Sequence, residues 1–584
     1  MRNFHSHLLA AFAATLLSAC GGDTVQEQNS KTPIFSGSTS NSSAAKARRS
    51  SQTPRLAADP AAKKTASRFL AQASFGPTMS EIESVAQSGT GAWLEAQFNK
   101  PQTLHRTYLD QVAASLPPGG KLQQVDFFQS FWKQAATAPD PLRQRVTFAL
   151  SEIFVVSFQN SVLTSYPRGV AAYYDMLGQH AFGNFRNLLE GVATHPMMGV
   201  YLSMLGNRKE NEVSAPDENF AREIMQLFSI GLYELNEDGS MKLVNGAPVE
   251  TYSHADIVGL SKALTGWSWA GPDKSDNRFM GYTADPDRDW KPMQNYPNWH
   301  STSEKKFLGQ TISGASSGEA DLKIAIDTLF NHPNVGPFIG RQLIQRLVTS
   351  NPSPAYVQRV ARSFNDNGAG VRGDMKATLR AIFNDPEAQG LDPANQPRKL
   401  REPIIRVTHW MRAFNVYSTS GRFIIGNIDD QVVGIGQNPL RSPSVFNFYR
   451  PGYVPPNTEI ANAGLVAPEM QTTNEVTVAG YLNYMMDVVE NGMGSGSVRD
   501  VLPDYSAELA LSENTTQLLD RIDLLLLNGQ MPGGLREQIS SAINSVAIPA
   551  PNGSNDSAIA LAKISRVRLG VFLAMASPEY IVQK

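Results

Sequence analysis

The side chains with the widest chemical reach lie in one short run, Pro216-Asp217-Glu218-Asn219-Phe220-Ala221-Arg222-Glu223-Ile224-Met225-Gln226-Leu227-Phe228. At about 100° per residue, Phe220, Ala221, Ile224, Leu227 and Phe228 share one helix face, and Glu218, Arg222, Gln226, Asn219 and Glu223 fill the opposite arc. Glu218 and Arg222 stand at i,i+4, as do Asn219 and Glu223. Carboxylates beside a guanidinium suit proton transfer to a reacting bond or to water. Thr251-Tyr252-Ser253-His254-Ala255-Asp256 follows and adds a base and another carboxylate. The catalytic candidates are therefore Glu218, Arg222, Glu223 and His254. Glu218, Glu223, His254 and Asp256 are the candidates for a hard or borderline cation, although their spacing matches no known metal motif.

Each of these residues also has a plainer role. Ser253 or Asp256 suits the cap of a helix over 257–264, and His195, in Thr194-His195-Pro196, suits a helix boundary. As a solvated face, the Glu218–Arg222 pair contributes about 0.3–0.5 kcal/mol. As an enclosed network it needs every group paired, and loss of Arg222 costs about 3–5 kcal/mol. The arc holds no Lys and the run is flanked by apolar sequence, which predicts the enclosed arrangement. A second cluster, Trp267, Trp269, Trp290, Tyr296 and Trp299, suits stacking on sugar rings or a peptide, or pinning of a long loop onto the core. There is no Gly-x-Ser-x-Gly elbow, Walker loop or dinucleotide fingerprint. In Arg372-Gly373-Asp374, Asp374 reads as the N-cap of a helix ending at Phe383.

The elements that must position these residues read mostly as helices. Thr78-x-x-Glu81 is a capping box ahead of Ile82 and Val85. Asp140-Pro141 opens a helix expected over 142–158, with Leu142, Val146, Ala149, Leu150, Ile153 and Phe154 on one face. Asn331-His332-Pro333 and Arg401-Glu402-Pro403 introduce further helices, and the last runs over about 558–575. The β signal is local: Tyr233-Glu234-Leu235-Asn236, a turn at Asp238-Gly239, Lys242-Leu243-Val244 and a turn at Asn245-Gly246. Residues 270–303 and 434–474 read as long ordered loops. The expected fold class is mainly α, a large multi-helix domain over 61–584 with a small inserted β-ribbon and long ordered loops.

The N-terminus specifies a compartment. Arg2, His5 and His7 precede an apolar run over 8–17, closed by Leu17-Ser18-Ala19-Cys20. The run fits an export signal over 1–19 and is too short to span a bilayer. The pattern resembles a lipobox, which makes Cys20 the expected lipidated first residue of the mature chain. Gly21 after it, in place of Asp, implies sorting to the outer membrane, with the protein periplasmic or at the cell surface. Residues 20–60 are rich in Ser, Thr, Asn, Gln, Ala and Gly and read as a disordered tether with a reach of about 30 Å. Cys20 is the only cysteine in 584 residues, which excludes disulfides, Cys-ligated zinc, iron–sulfur clusters, c-type haem and a catalytic thiol. A net charge of −2 gives no global field for nucleic acid.

Several stretches together resemble the bacterial family called domain of unknown function 1800. They are Arg68-Phe69-Leu70 with Ser74-Phe75-Gly76-Pro77, Gln144-Arg145-Val146-Thr147-Phe148-Ala149-Leu150-Ser151, and the run from Pro216 to Glu223. Ala263-Leu264-Thr265-Gly266-Trp267, Leu347-Val348-Thr349-Ser350-Asn351-Pro352, Pro443-Ser444-Val445-Phe446-Asn447-Phe448-Tyr449 and Ser577-Pro578-Glu579-Tyr580-Ile581-Val582-Gln583 complete the set. Many members carry Glu where this chain has Gln226, which weakens a carboxylate cluster there. The resemblance implies a largely helical exported protein, often encoded beside a protein of the domain of unknown function 1501 family, and brings no catalytic residues. The leading expectation is a lipid-anchored protein that binds or assembles an exported partner or surface polymer. An envelope hydrolase built on the carboxylates and His254, with or without a metal, and a carbohydrate-binding protein are the alternatives.

Overall fold

The structure, a computed structural model, describes residues 59–584 apart from 284, 395 and 397. The expected signal segment, Cys20 and the tether up to residue 58 lie outside the described residues. The first helix, Pro60–Ala73, starts where Asp59 accepts from the Ala61 amide and Pro60 occupies the first turn. It buries Phe69, Leu70 and Ala73. The expected capping box forms at Thr78 and Glu81 and opens Met79–Ser88, whose Ile82 and Val85 are buried. The described residues form 24 α-helices and are about 51% helical, which makes the fold mainly α. No helix among the described residues is long and apolar enough to cross a membrane.

The helix expected over 142–158 is shorter, Pro141–Ser151, and it is buried along its whole length. Near its end Thr147 Oγ1 donates to Arg143 O (2.7 Å) and Ser151 Oγ to Phe148 O (2.8 Å), drawing carbonyls off the helix ladder. Beyond it, buried Val155 and Val156 lie outside any helix, and Phe158 N donates to Leu440 O at 2.8 Å. Asp140 does not cap this helix; its carboxylate accepts from Thr103 N (3.0 Å), Thr103 Oγ1 (2.7 Å) and Gln144 Nε2 (3.1 Å). Around the helix pack Pro167–His180, Val335–Leu347 and Gln124–Thr137, all rich in buried residues. Rings of Phe75, Phe131, Phe148 and Tyr174 meet at 5.7–6.3 Å, two of the pairs edge to face and two tilted, within this packing. The last long helix, Asp556–Ala576, is followed by the short helix Pro578–Ile581.

The sheets are small. The expected ribbon forms: Leu243–Val244 pairs antiparallel with Ala247–Pro248 across the Asn245-Gly246 turn, and bridges join Leu235 to Met241 and Tyr233 to Glu250. Residues opposite one another in an antiparallel pair, and residues two apart along a strand, share a face. Tyr233, Leu235, Met241, Leu243, Pro248 and Glu250 therefore share one face of the ribbon, and Glu234, Lys242, Val244 and Ala247 share the other. Helix His254–Ala263 lies so close to strand Lys305–Phe307 that a Cβ on Gly259 would meet Lys306 O at 1.7 Å. Near the C-terminus, Lys399–Leu400 pairs antiparallel with Val582–Gln583, bringing the chain end to the start of Pro403–Ala413.

Candidate functional site

The 216–228 run forms helix Asn219–Gln226, and the structure divides its polar arc in two. Arg222 Nη2 lies 3.2 Å from Glu218 Oε2, and His254 Nδ1 approaches the same oxygen at 3.8 Å. The Arg222, Glu218 and His254 side chains are 43%, 29% and 72% exposed. This corrects the expected enclosed network: the cluster faces water, because its arc lies on the rim of the fold. Glu223 turns the other way and is buried, with Oε2 lacking a donor. Burial pushes its carboxyl above the usual carboxylate range, against the pull of Arg222. The neighbouring Tyr201 phenol is pushed up to about 12 by burial and by the Glu223 charge.

Asp256 is occupied by backbone work. It accepts from Ser253 N (2.7 Å), Ser253 Oγ (2.6 Å) and Leu308 N (2.7 Å), forming the capping box of His254–Ala263. Among the described residues no group of three or more His, Cys, Asp and Glu side chains converges as a cation site. Glu218, Glu223, His254 and Asp256 thus do not assemble as the ligand set expected from the sequence, because Glu223 and Asp256 point away from the Glu218–His254 contact. His195 caps Pro196–Tyr201 through Nδ1, which accepts from Met197 N (3.2 Å), and burial lowers its pKa to about 3.

The aromatic cluster splits as well. Trp267, Trp269 and Tyr296 are buried, and the Tyr296 hydroxyl donates to Trp269 O at 2.5 Å. Trp290 lies under the Arg106 guanidinium at 4.1 Å and donates to Asp287 at 3.2 Å. Trp299 stacks flat on Phe279 at 4.7 Å and donates to Asp276 at 2.8 Å. These contacts fasten the 270–303 loop to the core. At its far end His300 Nε2 and Lys305 Nζ meet the buried Asp321 carboxylate at 2.9 and 2.8 Å.

The densest assembly of buried charge lies elsewhere, where segments remote in sequence converge. Glu152 follows helix Pro141–Ser151, Glu402 precedes Pro403–Ala413, and Glu469 sits in the turn Pro468–Thr472; all three are buried. Glu152 Oε1 accepts from Asn447 Nδ2 (3.0 Å) and Tyr449 Oη (2.9 Å). Glu402 Oε2 accepts from Gln437 Nε2 (2.7 Å). Glu469 Oε1 pairs with Lys399 Nζ at 3.0 Å, and Lys399 also donates to Arg346 O at 2.8 Å. Arg145 Nη2 donates to that same Arg346 carbonyl (2.6 Å), while Arg346 Nη2 donates to Glu152 O (3.0 Å). Glu152 Oε2 and Glu402 Oε1 are buried without a hydrogen-bond partner, and burial first, then the Glu152 charge, pushes the Glu402 carboxyl up to about 8.

Sequence reasoning missed this assembly. Its local signal was Arg401-Glu402-Pro403, read only as a helix start, and a Glu directly after the Gln144–Ser151 stretch. The family described as protein of unknown function (DUF1800) matches residues 68–582. The chain belongs to this family. No curated protein and no solved structure matches it. The stretches that carry the DUF1800 resemblance supply much of the buried assembly: Arg145 from 144–151, Ser350 from 347–352, Asn447 and Tyr449 from 443–449. The 577–583 stretch pairs Val582–Gln583 with Lys399–Leu400, and Gln583 Nε2 donates to Leu347 O at 3.0 Å.

Proposed function

We propose that this DUF1800 protein is a lipid-anchored envelope protein that binds an exported protein, and that the 233–250 ribbon is its docking face. The observation that supports this reading is the ribbon's apolar face. Tyr233, Met241 and Leu243 are 37%, 51% and 60% exposed, Leu235 and Pro248 share their face, and exposed Glu250 stands opposite Tyr233 at its edge. Single exposed apolar residues are ordinary, but five apolar residues gathered on one sheet face, with a charge only at its edge, mark an interaction surface. Thr251 N donates to Leu232 O (3.0 Å) and closes the base of the ribbon, and the Tyr252 hydroxyl, donating to Gln226 Oε1 (3.2 Å), ties that base to helix Asn219–Gln226. Glu218, Arg222 and His254 then supply a charged rim beside an apolar centre, the layout of a protein–protein interface.

The anchor is part of the same proposal. Leu17-Ser18-Ala19-Cys20 with Gly21 supports lipidation at Cys20 and sorting to the outer membrane, leaving the folded part on a tether in the periplasm or at the surface. The partner we propose is a co-encoded protein of the domain of unknown function 1501 family. Calorimetric titration of the mature chain with that purified protein tests the reading. Binding is expected, with Met241→Asp and Leu243→Asp each weakening it about tenfold or more. No binding, or binding that neither substitution changes, contradicts it.

A further inference from the structure

Asp289 is fixed by its neighbours and its backbone, while its own side chain holds nothing. Before it, Arg288 donates through Nη1 to Gly281 O (3.0 Å) and through Nη2 to Tyr166 Oη (3.3 Å). After it, Trp290 lies under the Arg106 guanidinium and donates to Asp287. The Asp289 backbone is pressed onto helix Pro167–His180: a Cβ on Gly169 would meet Asp289 O at 2.6 Å and Asp289 Cβ at 3.0 Å. Yet the half-buried carboxylate takes no hydrogen bond from any other described residue. Burial pushes it above the usual carboxylate range, against the pull of Arg168. A held acceptor that nothing in the chain uses carries a desolvation cost without return, and a bound donor offsets it.

That residue lines a cavity of about 600 Å³, inside the range of small-molecule sites, about 300–1,000 Å³. The cavity lies between the end of helix His105–Ser115, the 116–124 segment and the start of Pro167–His180. Arg168 and Lys121 bring donors to its wall, Gln123 and Ser165 bring groups that both donate and accept, and Leu116 and Leu122 bring an apolar flank. This mixture selects a ligand class. An anion meets the Asp289 carboxylate, and Arg168 is already matched by Asp110 at 2.7 Å and Asp287 at 3.5 Å. A cation meets Lys121 and Arg168 in the same wall. An extended peptide finds no strand edge to pair with, because none of the lining residues lies in a strand. A sugar ring matches: its hydroxyls donate and accept, and its carbon faces pack on apolar side chains.

We propose that this cavity binds a neutral saccharide, with the Asp289 carboxylate accepting from its hydroxyls and Arg168 and Gln123 flanking it. The site is separate from the ribbon, so the chain carries a sugar-binding function besides the protein docking face. Asp289 acts here as a binding residue, placed in advance by Arg288, Trp290 and the close approach to Gly169.

Saturation-transfer difference NMR of the mature protein tests this with maltotriose, cellobiose and N,N′-diacetylchitobiose, and with trialanine as the peptide arm. Transfer to at least one of the saccharides is expected, and none to trialanine. Asp289→Ala removes the acceptor and Ser165→Arg places a long side chain at the cavity wall; each is expected to weaken saccharide binding about tenfold or more in NMR titration. Neither native side chain hydrogen-bonds another described residue, so the unfolding temperatures of both variants are expected to be no lower than the parent's. No transfer to any of the saccharides, transfer to trialanine in their place, or saccharide binding that neither substitution weakens overturns the proposal.

Discussion

Arg222 and Glu223 are neighbours in the chain and opposite in environment: the Arg222 guanidinium is exposed and reaches Glu218 at 3.2 Å, whereas the Glu223 carboxyl is buried with one oxygen lacking a donor. One helical step, about 100°, separates a surface ion pair from a strained interior charge. The two side chains therefore call for different outcomes on substitution. Arg222→Ala is expected to cost about 0.2–1 kcal/mol, the range of an exposed pair. Glu223→Gln is expected to leave the protein at least as stable as the parent at neutral pH. Burial raises the Glu223 carboxyl, so its ionisation penalises the folded state as pH rises, and the amide removes that penalty. Denaturant unfolding at neutral pH and at about pH 4 checks both: the Glu223→Gln advantage should shrink at the lower pH.

Asp500 is the opposite kind of buried carboxylate. It accepts from Ser418 Oγ (2.7 Å), Thr419 Oγ1 (2.8 Å), Ser420 N (2.8 Å), Ser420 Oγ (3.0 Å) and Ile424 N (2.7 Å). Burial alone would raise its pKa, but the donors from Ser418, Ile424, Ser420 and Thr419 outweigh it and hold the group at about 2. A depressed carboxyl stabilises the fold above its ordinary value, near 3.8, and that contribution is lost as pH falls through about 2. Asp500→Ala strands these donors and is expected to cost about 2–4 kcal/mol, measured by chemical unfolding at neutral pH. A cost within experimental scatter would show that water replaces the carboxylate there.

Where local chemistry decides an element, the sequence was legible. Thr78 with Glu81 and Asp374 ahead of Met375–Phe383 cap their helices as expected, and Asn245-Gly246 turns the ribbon. Reading failed where periodicity cannot see the third dimension. Ile153 and Phe154 continue the apolar face of the preceding helix, yet the chain leaves the helix at Ser151, because Glu152 is committed to Asn447 and Tyr449 from another part of the chain. The same limit hid the buried assembly. Glu152, Glu402 and Glu469 are isolated in sequence, and only tertiary packing makes them neighbours; the clustered Glu218, Arg222 and Glu223 attracted attention for a proximity that the helix then divides between surface and core. Trp267, Trp269 and Tyr296 have the composition of a binding platform, but the pairing of Trp267–Ser268 with Gln294–Asn295 draws them inward.

The central claim is that the apolar ribbon face meets a partner. The most direct measurement is photo-crosslinking in intact cells, with a photoreactive residue at Leu243 and, as a control on a separate exposed position, at Leu391. The account predicts a discrete adduct with one exported protein at position 243, lost when Met241→Asp is added, and no such adduct at 391. Absence of an adduct at 243, or the same adducts at both positions, would contradict it.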